Sequence, residues 1–135
     1  MKHLFVPYEL ALELKDKKIE CGFIGGYFQQ DGKTPFLCYG NEFDEAMNAG
    51  NDITFEVSAP MYQQVIDLLR EKHNINIEIV YNDFGGNNTK KENRTWYHYI
   101  SDMNGEHNNG THGKEMLPYY DALNKAIEEA LILIK

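Results

Sequence analysis

The chain has 135 residues, 42% of them hydrophobic and 13% aromatic, which is enough for one domain with a packed core and excludes global disorder. Its formal net charge is −8, and no Lys or Arg occurs between Thr34 and Leu69, where Glu42, Asp44, Glu45, Asp52, Glu56 and Asp67 all fall. Such a balance disfavours nucleic-acid partners, whose phosphates are bound mainly through Lys and Arg.

Val6-Pro7-Tyr8-Glu9-Leu10 opens the first predicted element. Pro7 suits a first helical turn, and Leu10, Ala11 and Leu14 follow at helical spacing to about Lys18. Cys21 to Gln30 reads as a strand interrupted by Gly25-Gly26, a pair expected to mark a bulge or a close backbone approach. These two glycines lack the spacing and following helix of a phosphate-cradling loop. Asp31-Gly32 is a two-residue hairpin signal that returns the chain into Pro35-Phe36-Leu37-Cys38-Tyr39. The acidic stretch from Asn41 to Asp52 reads as a loop or a short helical turn. Ile53-Thr54-Phe55-Glu56-Val57 then alternates as a third strand.

A second proline-opened helix is predicted from Ser58 or Ala59 as cap and Pro60 in the first turn, with Met61, Tyr62, Val65, Ile66, Leu68 and Leu69 as its apolar stripe. Ile75, Ile77, Ile79 and Tyr81 alternate with Asn76, Glu78 and Asn82 as a half-buried strand. The polar stretch from Asp83 to Asn93 reads as a loop and Arg94 to Asp102 as the partner strand. Met103 to Lys114 is expected to be a flexible connection. Pro118 opens a last helix, with Ala122, Ala126 and Ala130 in one row and Leu123, Ile127, Leu131 and Ile134 in the next. The expectation is a single α+β domain over residues 1–135, ordered α-β-β-β-α-β-β-α. About three helices should pack on one face of a mostly antiparallel sheet. The two proline-opened helices, each followed by strands, raise the question of a duplicated unit.

Candidate sites are few. In Trp96-Tyr97-His98-Tyr99-Ile100 the strand period puts Trp96, His98 and Ile100 on one face and Tyr97 and Tyr99 on the other. A face turned away from the helices would present aromatics to a partner, so Trp96, Tyr97 and Tyr99 are candidate binding residues. The acidic residues Glu42, Asp44 and Glu45 are a second candidate surface. With Asp52 and Glu56 they could imitate a nucleic-acid backbone, provided that all five share one exposed face.

Catalytic and metal chemistry have little to rest on. His107 and His112 lie in a glycine-rich stretch without a rigid element, and no zinc spacing joins them to Cys21 and Cys38. No catalytic residue, metal ligand or cofactor is therefore assigned. An enzyme would need His98 in a pocket with a cysteine or carboxylate in reach. The cysteines read as small buried hydrophobes. No stretch approaches a membrane span and no secretory signal is evident, so a soluble cytoplasmic protein is expected. The apolar end at Ile132 and Leu133 leaves room for a homodimer contact.

The runs Val6 to Lys15, Ser58 to His73 and Tyr120 to Leu131 together resemble a group of short uncharacterised proteins of gut-bacterial genomes and their phages or mobile elements. The resemblance implies a mobile-element origin and carries no activity or functional residue. A non-enzymatic binding or accessory protein acting through protein contacts is the reading that these features favour, with the acidic mimic and a small enzyme as alternatives.

Overall fold

Prolines 7 and 118 each sit one residue before a helix and cap it with an extended backbone. In the computed structural model, which describes residues 1–22, 24–50, 52–81, 94–102, 111–112 and 117–134, the chain is an α+β fold. It divides into two compact units, Met1–Val65 and Ile66–Lys135. Two three-stranded antiparallel sheets are present among the described residues. The single sheet expected from the strand count is thus replaced by one sheet in each unit.

In the first unit, helix α1 (Tyr8–Asp16) precedes strands β1 (Gly25–Gln29) and β2 (Phe36–Tyr39). Helix α2 (Asn41–Met47) and strand β3 (Thr54–Ser58) follow, and the sheet order is β2-β1-β3. The hairpin between β1 and β2 turns at Asp31 and Gly32, both with positive φ, and Lys33 N–H donates to the Gln30 carbonyl at 2.9 Å. That is the two-residue turn whose twist suits a hairpin. The acidic stretch is therefore partly helical. Ala46 is buried and Phe43 half-buried, while Glu42, Asp44 and Glu45 point to solvent.

Helices cover both faces of this sheet, not one. Tyr27 faces α1: its ring meets Tyr8 edge-on and its hydroxyl donates to the Val6 carbonyl at 2.8 Å. Phe28 faces the other way, against Phe43 of α2 and Phe55 of β3. Gly25 and Gly26 are needed because aromatic rings crowd both faces. A Cβ on Gly25 would lie 2.8 Å from the Phe5 ring, and one on Gly26 2.7 Å from Phe55. The glycine pair thus marks a close approach. The irregular register falls one step later, between Tyr27 and Phe28, where Glu56 of β3 is the extra residue.

Helix α3 (Tyr62–His73) starts three residues beyond Ala59, the nearer of the two expected caps. Ser58 and Ala59 continue the ladder with β1, Ala59 N–H donating to the Gly25 carbonyl at 2.9 Å. The Pro60 carbonyl accepts from Val6 N–H at 3.0 Å. Extended pairing therefore outcompetes the helix until Met61. Gln64 then closes the helix start by accepting from Met61 N–H at 2.8 Å, half of a capping box.

In the second unit, strands β4 (Ile75–Tyr81), β5 (Trp96–Asp102) and β6 (Thr111–His112) pair in that order, and helix α4 (Tyr119–Leu133) closes it. β6 lies in the stretch expected to be a flexible connection, where its pairing with Tyr99 and Ile100 gives it a partner. The expected loop from Asp83 to Asn93 lies outside the described residues. Facing pairs Ile77 with Ile100 and Ile79 with His98 share one side of the sheet, and α4 packs there with Ala122, Ala126 and Ala130 fully buried. The small-residue row lets the helix approach closely.

The twin proline-opened helices also end alike, at Lys18 and Asn74 with φ of 56° and 54°, each followed by a buried isoleucine. The sheets beyond them differ. The first strand is central in the first unit and the second strand in the second. A simple duplication would keep one strand order.

Gly25→Ala is expected to cost about 1–3 kcal/mol, because the new methyl meets a buried ring and the Cys38 carbonyl at 3.2 Å. Gly22→Ala, whose Cβ meets nothing within 4 Å, should change stability by less than about 0.5 kcal/mol. Urea unfolding midpoints of the two variants check the contrast.

Candidate functional site

Helix α1 ends in a pattern that shapes a groove in the first unit. Lys18 adopts the left-handed conformation, its N–H donating to the Lys15 carbonyl at 3.0 Å and Ile19 N–H to the Leu14 carbonyl at 2.9 Å. These two bonds form a Schellman motif, and Ile19 is thereby turned back against the apolar side of the helix. A residue other than glycine at such a position costs about 1 kcal/mol. Here it places an ammonium at the helix end.

The chain then runs through Glu20, Cys21 and Gly22 and leaves an open groove of about 560 Å³ between α1 and β3. Ala11, Leu14, Ile19 and Val57, all buried, supply its apolar lining. Lys15, Lys18, Glu20 and Glu56 supply the charges. The wall at Gly22 is tied down by the Gln64 amide, which donates to the Gly22 carbonyl at 2.7 Å. Gln64 thus closes the start of α3 with its oxygen and holds the groove wall with its nitrogen. Lys15 Nζ reaches the Glu56 carbonyl at 3.3 Å, across the groove from helix to strand.

The residues singled out in the sequence are distributed differently. Glu42, Asp44 and Glu45 are exposed on α2, on the sheet face opposite α1, whereas Glu56 is half-buried in the groove beside α1. The five carboxylates required for a nucleic-acid mimic therefore do not form one face. Trp96 lies on the α4 side of β5, between Tyr81 and Tyr119 with ring centroids at 5.6 and 5.7 Å. Tyr97 and Tyr99 are half-buried on the other side, so the three aromatics are not brought together. Ile132 and Leu133, offered for a dimer contact, are exposed at the end of α4.

Among the described residues His98 is the one buried polar or charged side chain, 1% exposed, and its Nε2 lies 2.7 Å from Glu129 Oε2 of α4. An ionised carboxylate only accepts, so the shared proton sits on Nε2. Nδ1 is buried and has no hydrogen-bond partner among the described residues. The described lining of the groove contains no histidine, so His98 and the groove are separate features. The pair's evident work is to join α4 to β5. His107 lies outside the described residues. No group of metal-ligating side chains occurs among those described, and none of their helices is long and apolar enough to cross a membrane.

Neither cysteine forms a disulfide. Cys38 is buried among Phe28, Ala46 and Phe43, and burial, then the Glu42 carboxylate, pushes its thiol above the ordinary range against a smaller opposing effect of Lys2. Cys21, read from sequence as a buried hydrophobe, is half-buried and lines the groove. Comparison with protein-family models, curated proteins and solved structures finds no match.

Two outcomes follow from these side chains. Glu129→Ala leaves the His98 donor buried without an acceptor and should cost about 1–3 kcal/mol, while Glu129→Gln keeps an acceptor and should cost clearly less; urea unfolding measures both. A disulfide reagent at pH 8 should modify Cys21 in the native protein. Cys38 should react only on unfolding, because its raised pKa keeps the thiol protonated as the pH climbs.

Proposed function

We propose that the chain is a non-enzymatic binding protein that acts through protein contacts, with the groove between α1 and β3 as its contact surface. The carrying observation is an apolar-floored groove of about 560 Å³ lying along a strand at the edge of its sheet. Recognition sites commonly have this form, concave and mostly apolar with a few placed polar groups. An accessory role in a phage or mobile element rests on the sequence resemblance alone. A second copy of the chain is an additional candidate partner, favoured by the exposed Ile132 and Leu133.

Selection from displayed libraries of linear and disulfide-closed peptides tests the reading. Gly22→Trp is the blocking variant, since position 22 is exposed and has open space around its Cβ. Peptides that enrich on the native chain should bind that variant at least about tenfold more weakly, ~1.4 kcal/mol, with its urea midpoint unchanged. Failure of any sequence to enrich, or equal binding to the variant, would contradict the proposal.

A further inference from the structure

The groove has a direction and a polarity that specify its occupant. Among the described residues β3 is an edge strand, hydrogen-bonded to β1 on one side. Because Ala59 N–H donates to the Gly25 carbonyl, Ser58 and Gly26 form a non-hydrogen-bonded pair. The N–H and C=O of Ser58 therefore turn away from β1, and Ser58 lines the groove. Two residues earlier, the Glu56 carbonyl also faces outward, where it accepts from Lys15 Nζ at 3.3 Å. A lysine laid over a strand edge is a common guard against unwanted pairing. Main-chain groups at alternate residues beside an apolar floor are the requirements for adding a strand.

Polarity follows from α1. Val6, just before the helix, is bonded to Pro60, just after β3, and Lys15 near the other end of the helix reaches Glu56. Helix and strand are thus antiparallel, and Lys15 and Lys18 stand at the Phe55 end of the groove. Neither ammonium has a carboxylate within 4.0 Å among the described residues, although Glu20 and Glu56 also line the groove. A segment running antiparallel to β3, the slightly more stable pairing, brings its C-terminal end to these lysines. α1 stands beside the strand, so the recess suits one segment and not the sheet edge of a second copy.

We infer that the groove takes an extended peptide as an added strand antiparallel to β3, with apolar residues at alternate positions and carboxylates at its C-terminal end. The inference rests on the groove being the contact surface. The incoming strand takes over the Glu56 carbonyl from Lys15, which is then released to pair with the ligand's carboxylate, a stronger charge-assisted contact.

Fluorescence anisotropy with three synthetic probes and the full chain tests it. The first is an acetylated peptide of alternating valine and threonine ending in Asp-Glu with a free carboxylate. The second ends in Lys-Lys-amide, and the third set is the acidic peptide N-methylated at one or the other alternate set of backbone nitrogens. The acidic probe should bind about tenfold tighter than the basic one, and a Lys15→Glu, Lys18→Glu double variant should reverse the order. N-methylation of one set should abolish binding while the other set is tolerated. Equal tolerance of both sets would overturn strand addition yet leave the contact surface intact if library-selected peptides still respond to Gly22→Trp. Equal binding of acidic and basic probes, no binding of either, or binding unchanged by Gly22→Trp would also overturn the inference. Self-association that Gly22→Trp abolishes would assign the groove to a second copy and overturn it too.

Discussion

One extra residue in β3 governs the first unit. Glu56 has no partner in β1, so Val57 opposite Tyr27 faces α1, while Phe55 opposite Phe28 faces α2. In a regular strand these two side chains would share a face. The bulge thereby lets one short strand contribute to both cores: Val57 to the side closed by Tyr27 and α1, Phe55 and Ile53 to the cluster of Phe28, Phe43 and Cys38. Glu56, the extra residue, also presents its carbonyl to Lys15 at the groove. Core and groove thus meet at this strand.

Around that strand, one polar side chain serves two backbone groups. Gln64 satisfies an amide at the start of α3 and a carbonyl at Gly22 with one side chain. Isolated bridges precede both proline-opened helices: Phe5, two residues before Pro7, pairs with Met61, and Leu117, directly before Pro118, pairs with Trp96. A residue preceding proline is held extended, which suits such a bridge. In the second unit, a buried polar pair, His98 and Glu129, ties β5 to α4.

Much of this architecture is written in local patterns. Helical spacing at Leu10, Ala11 and Leu14, the Asp31-Gly32 turn, and the alternation from Ile75 to Tyr81 each act within a few residues, and the corresponding elements form. The bulge does not show, because Ile53, Phe55 and Val57 read as one face in any count of alternation. The start of α3 was shifted by long-range pairing of Ala59 and Pro60 with Gly25 and Val6, which no local propensity encodes. The groove was illegible for a similar reason. Its lining joins Ala11, Gly22 and Ser58, residues without distinctive chemistry, from three separate stretches. The conspicuous residues lie apart from it: Trp96 is packed between tyrosines, and His98 is buried.

Amide hydrogen exchange at Ser58 tests the central claim most directly. In the ligand-free protein its N–H should exchange much faster than that of Ala59, which is bonded to Gly25 at 2.9 Å, and it should become protected when the acidic peptide is added. A Ser58 amide already as protected as Ala59 in the free chain would contradict the open strand edge on which the account stands.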